Sequence, residues 1–153
     1  MAKKKTKIQK TFIDNGFGFP VVLVDMPMIQ ARGKWAPNIN YKKYADAVLE
    51  ALAHKPVRLT GNEIKFIRHK FEMTLQQFAK RFGQKSHQAV MKWEDFGNKP
   101  TSMLWTTEKD IRLAIIRVVY RSATKFVGAY DELKEQMPSK DERLKIDADR
   151  IAA

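Results

Sequence analysis

The sequence predicts a mainly α fold, a helical bundle with a small N-terminal αβ element in front of it. Three observations carry this. Apolar residues recur at helical spacing through Thr74–Glu94, helix-starting boxes stand at Thr60 and Thr74, and β-branched and aromatic residues broken by turn formers fill Phe12–Ala36.

At 153 residues, 44% of them hydrophobic, the chain can bury one main core and an appendage. Lys and Arg number 29 against 17 Asp and Glu, a net +12 that suits a polyanionic partner, nucleic acid first. No apolar run reaches the length of a spanning helix, and Met1–Lys10 lacks a signal-peptide core. A cytoplasmic, nucleoid-associated protein without a membrane partner is therefore expected. There is no cysteine, so disulfides and thiolate metal sites are excluded.

Residues 1–11 carry Lys3, Lys4, Lys5, Lys7 and Lys10 with little that is apolar, which reads as a flexible basic arm. It either trails along phosphates or only solubilises the chain. Residues 12–56 form the small αβ element. Phe19–Val24 reads as a strand after the Asn15-Gly16 turn signal and Met28–Ala31 as a second, with Asp25-Met26-Pro27 interrupting. Two strands are marginal alone, so they need the following helix, Tyr41–His54, whose Tyr41, Tyr44, Ala45, Val48, Leu49 and Leu52 share one face between Asn40 and Pro56.

Residues 57–127 read as the main helical domain. Thr60-Gly61-Asn62-Glu63 is a capping box that opens a helix to about Phe71, with Ile64, Ile67 and Phe71 inward. A second box at Thr74 opens a short helix with Leu75, Phe78, Ala79 and Phe82 on one side, ended by Gly83. Ser86 can cap the next helix, in which Ala89, Val90, Trp93 and Phe96 form a stripe while His87, Gln88, Met91 and Lys92 face away. Two short amphipathic helices joined by a tight turn make a helix-turn-helix. After the Gly97–Pro100 loop a helix is predicted from about Thr107 to Val127. Its apolar residues lie on more than one face: Ile111, Ala114, Ile115, Val118, Ser122 and Phe126 on one, with Leu113, Ile116, Val119 and Tyr120 on others. Either a homodimer or the αβ element must cover the second stripe. Residues 128–153 read as a charged tail, with Lys140–Arg150 a frayed helix at most.

Thr74, Phe78-Ala79, Gly83, Val90 and Trp93-Glu94, with Ile64, Ile67 and Arg68 on the helix before, resemble the helix-turn-helix of the λ-repressor and Cro class, the XRE family. One residue more than the commonest spacing separates Gly83 from Val90. The resemblance implies a λ-repressor-like bundle that binds a double-stranded DNA operator as a homodimer. It also implies contact between Arg68 and Glu94 beneath the recognition helix, a structural ion pair suited to arginine's planar fork.

On that second helix Gln88 and Lys92, then His87, are the candidates for base edges, because glutamine can bond adenine twice and lysine can donate to guanine. Ser86 and Gln76, at helix starts, suit phosphates, and Lys85 and Lys99 flank them. The order of parts, with LTGNEIKFIRHKF before the motif, is similar to antitoxins of the MqsA and HigA type. In the MqsA type the N-terminal region binds a toxin and zinc; the zinc cysteines are missing here, where Ile29–Pro37 reads IQARGKWAP. The resemblance thus implies a repressor that neutralises a cognate toxin, with Arg32 and Trp35 as contact candidates unless Trp35 packs on the Tyr41–His54 helix. The alternatives are a phage or chromosomal regulator without a toxin, or a non-specific nucleic-acid-binding module. His54, His69 and His87 are scattered, and no phosphate loop, nucleophile elbow or paired-carboxylate motif is present, so no metal, no cofactor and no catalysis are expected.

Overall fold

The computed structural model describes residues 3–133 and 143–153, which divide into two compact units. One joins residues up to Ala51 with Arg143–Ala153, and the other begins at Leu52. The first unit is a four-stranded mixed sheet with a helix. β1 (Thr6–Asp14) pairs antiparallel with β2 (Val21–Ala31) from Thr6↔Ile29 to Asp14↔Val21. Along its other edge β2 holds β3 (Lys34–Pro37) antiparallel at Met28–Ala31 and β4 (Leu144–Asp147) parallel at Val21–Val24. Arg32 (φ 50) and Gly33 (φ 76) make the two-residue β2–β3 turn, a conformation in which both central residues need positive φ.

α1 (Tyr41–His54) starts at Asn40, whose Oδ1 accepts from Lys43 N at 3.1 Å. Tyr44 is buried and donates its phenol proton to Asp14 Oδ2 at 2.8 Å; burial first, then that carboxylate, holds the phenol well above its ordinary range. A short 3-10 turn (Ala148–Arg150) follows β4, and Ile151 O accepts from Asn40 N at 3.1 Å. Val21, Leu23, Met26, Val48 and Ile146 are core residues of this unit.

The expected mainly α, λ-repressor-like bundle with a small appendage is thus corrected: the described residues hold six helices and a four-stranded sheet, an α and β architecture. Residues 6–11 of the stretch read as a flexible arm are the first two thirds of β1. Its Lys7 and Lys10 lie on a sheet edge, where they keep the strand soluble and discourage a further strand from adding. β2 runs unbroken through Pro27, whose carbonyl still accepts from Asn38 N at 2.9 Å. The distortion sits instead at Asp25 (φ 53), with the same register on either side of it. Tyr41 is exposed rather than inward. Within the expected tail, Leu144–Asp147 is strand because β2 offers it an edge; Met1, Ala2 and residues 134–142, including Pro138 and Ser139, lie outside the described residues.

The second unit is helical. α2 (Gly61–Lys70) and α3 (Leu75–Arg81) both begin with complete capping boxes, Thr60 with Glu63 and Thr74 with Gln77. α4 (His87–Glu94) follows, then α5 (Trp105–Val119) and α6 (Ala123–Glu132). The single helix expected from Thr107 to Val127 is therefore two. β-branched Val118 and Val119 weaken the end of α5, Tyr120 turns extended (φ −102, ψ 108), and its hydroxyl lies 3.0 Å from His54 Nε2. Ile111, Ile115 and Ile116 are buried inside this unit, whereas Val118 is exposed and Leu113, Ala114 and Val119 are half-buried.

Charges also occupy this core. Glu108 and Arg112 are fully buried. Arg112 donates to Glu108 Oε2 from Nε (3.1 Å) and Nη2 (3.0 Å), and to the carbonyls of Ala53, Lys55 and Val57. Glu108 Oε1 accepts from Arg58 Nε (2.9 Å) and Leu59 N (3.2 Å), while Arg58 Nη2 also donates to Met103 O. Beside them Lys55 Nζ donates to Glu63 Oε1 at 2.6 Å. Desolvation lowers the Arg112 pKa and raises that of Glu63. The network clamps the Lys55–Leu59 connection between α1 and α2 onto α5.

Candidate nucleic-acid interface

The turn from α3 to α4 is set by backbone chemistry. Gly83 takes φ 72 after Phe82, and Gly83 N and Gln84 N donate to Lys80 O (3.4 Å) and Ala79 O (2.8 Å), which stops α3 with a left-handed residue that glycine adopts without strain. Phe78 and Phe82 rings meet at 4.6 Å beneath it. Val90 and Trp93 bury the inner side of α4.

Two contacts fix α4 against α2. Arg68 grips Glu94 with both arms of its guanidinium, Nε to Oε1 at 2.6 Å and Nη2 to Oε2 at 3.3 Å, and spends Nη1 on Met73 O at 3.1 Å. Gly61, at the first turn of α2, lies so close to the end of α4 that a Cβ would stand 2.8 Å from Glu94 O and Gly97 N and nearer still to Trp93 O. Only glycine permits that approach. Arg68 is thereby a positioning residue, its guanidinium held by Glu94 and Met73 O.

The outer side of the motif holds a concavity of about 430 Å³ lined by Gln76, Lys80, Gln84, Lys85, Ser86 and His87. Four of the seven residues expected to contact DNA, Gln76, Lys85, Ser86 and His87, meet there. Gln88 and Lys92 are exposed further along α4, with exposed Met91 between them. Lys99 stands apart: its carbonyl accepts from Gly61 N at 3.3 Å, which places it by the start of α2. Ser86 occupies the N-cap position with extended backbone (φ −151, ψ 163) but makes no side-chain cap bond, contrary to expectation, because Ala89 N is satisfied by the Ser86 carbonyl at 3.3 Å.

Lys80 and Gln84 were not among the expected residues. Lys80 lies one helical turn from Gln76 and shares its face, a signal the spacing contained. From Thr74 to Lys99 five basic residues, Lys80, Arg81, Lys85, Lys92 and Lys99, stand against Glu94 and Asp95, and Glu94 is taken by Arg68. Arg81 is 3.6 Å from Asp110, which removes it from the outward set.

Arg32 and Trp35 belong to the sheet unit. Trp35, on β3 opposite Gln30, is 38% exposed with Lys7 Nζ 4.5 Å above its ring. Among the described residues no group of three His, Asp or Glu is placed to hold a metal ion, and no helix is long and apolar enough to cross a membrane. No protein-family model, curated protein or solved structure matches the chain.

Proposed function

We propose that the chain is a sequence-specific regulator of transcription that binds double-stranded DNA through α3 and α4. The observation that carries this is the joining of Gln76, Lys80, Lys85, Ser86 and His87 on one concave surface, continued by Gln88 and Lys92 on α4. Lysines and small polar groups on a concave face suit phosphates, and an exposed glutamine on a braced helix suits an adenine edge in the major groove. In this reading two copies act as a homodimer on two half-sites, with exposed Val127 and Tyr130 of α6 as the apolar contact.

The test is a selection from random duplexes followed by titration. Gln88→Ala is expected to weaken the selected duplex by about 1–3 kcal/mol and leave random DNA almost unchanged. Lys85→Ala should weaken both alike and flatten the salt dependence. Equal losses on both DNAs for Gln88→Ala, or no enriched sequence at all, would overturn the reading.

A narrower role, the antitoxin of a toxin–antitoxin pair, is favoured by Trp35. A large aromatic left over a third exposed beside the Arg32-Gly33 turn is a feature DNA binding does not need, and tryptophan and arginine are preferred anchors of protein interfaces.

A further inference from the structure

A second cleft, of about 390 Å³, opens in the helical unit between the end of α2, the end of α3 and the outer side of α5. Its floor is apolar: Phe71, Met73 and Ala114 are half-buried and Phe82 is buried. Val118, 61% exposed, forms one wall, so a β-branched side chain of α5 faces solvent at the cleft. The volume lies at the small end of the range for ligand sites, about 300–1,000 Å³.

Two guanidinium groups stand at the rim, Arg81 and Arg117. Arg81 packs over the Phe82 ring at 4.8 Å and lies 3.6 Å from Asp110, which offsets its charge. Arg117 is exposed and makes no ion pair or hydrogen bond among the described residues. The rim therefore carries one net positive charge beside an apolar floor. A neutral occupant would leave that charge unused, and a dianion would exceed it. Arginine's planar fork matches a carboxylate with two parallel hydrogen bonds.

We propose that this cleft binds a small amphipathic monocarboxylate, its hydrocarbon tail against Phe71, Phe82 and Val118 and its carboxylate held by Arg117 with Arg81 beside it. The site is separate from the outer face of α3 and α4 and does not depend on DNA binding.

Octanoate is the probe, titrated into the full-length chain by calorimetry, with octanol as the neutral counterpart and two-dimensional amide spectra to locate the site. Octanoate is expected to bind saturably and at least about tenfold more tightly than octanol, the size of effect a charge-assisted bond gives. Amide shifts should centre on Phe71, Ala114 and Val118. Arg117→Gln, at an exposed position that folding tolerates, should remove the preference for octanoate, and Val118→Glu should weaken it by placing a like charge at the mouth. Equal binding of octanol, an unchanged affinity in Arg117→Gln, or no saturable binding would each overturn the proposal. So would a dimer in which a second copy covers Val118 and octanoate fails to compete.

Discussion

Glu63 does two things at the start of α2. Its carboxylate closes the capping box on Thr60 N at 3.2 Å and receives Lys55 Nζ, with both side chains nearly hidden from solvent. Burial pushes its carboxyl above the ordinary 4.5, against the pull of Lys55. The folded chain thus binds this proton at a higher pH than the unfolded chain does, so Glu63's contribution to stability falls as pH rises through the interval between the two values. Lys55→Met removes the largest lowering influence and widens the interval. The variant is expected to lose about 3–5 kcal/mol near neutral pH, as when one partner of a buried pair is removed, and to recover part of it in acid. Thermal melts at pH 5 and pH 8 check this; an equal loss at both would show that the charge on Glu63 is not the cause. These residues were not legible as core. The helical spacing that marks Ile111 and Ile115 also places Glu108 and Arg112 on the buried side of α5, but a hydrophobic pattern assigns charges to solvent, and only the carbonyls of Ala53, Lys55 and Val57 make burial tolerable.

At the scale of elements, α2 and α3 end alike with different residues. After α2 the left-handed position falls to Glu72 (φ 55), with Glu72 N and Met73 N donating to His69 O (2.9 Å) and Arg68 O (3.2 Å). A left-handed non-glycine residue costs roughly 1–2 kcal/mol, and glycine gives part of that back in chain entropy. Glu72→Gly should therefore raise stability by about 0.5–1 kcal/mol, read as a higher urea midpoint at unchanged slope. A lower midpoint would mean that the Glu72 side chain contributes something its exposed position does not suggest. The local devices were readable beforehand: both capping boxes, the bounds of α1, the stop at Gly83, and the outward placing of Gln88 and Lys92. The elements that were not readable depend on distant partners. Leu144–Asp147 is an unremarkable four-residue run until β2 accepts it, residues 6–11 become strand only by pairing along Met26–Ile29 and Val24, and α5 breaks where His54 meets Tyr120.

For the whole molecule, the two units invite a division of labour that full-length variants can examine. On the proposed reading, replacing Arg32 and Trp35 together with Ala is expected to leave affinity for the selected duplex within a factor of two while weakening binding of a cognate toxin by about tenfold or more, the effect of losing an interface anchor. Pull-down and titration with that toxin check it. Loss of binding to the selected duplex would instead assign these residues to the proposed DNA surface, and unchanged binding of the toxin would remove them from the proposed interface. Residues of the sheet unit are needed intact for such a comparison, because β4 pairs with β2 and a chain begun near Pro56 would strip β4 of its partner.

That parallel pairing also sets an order of events. β1, β2 and β3 are neighbours along the chain and can zip together as hairpins while synthesis continues, whereas β4 is joined to β2 across nearly all of the helical unit. Closing so long a loop is entropically unfavourable until the helices shorten it. Until then the edge of β2 at Val21–Val24 stands bare, a β-branched ribbon open to whichever strand reaches it first. The nascent chain is thus most exposed to wrong pairing in the interval between completing its helices and delivering Leu144–Asp147.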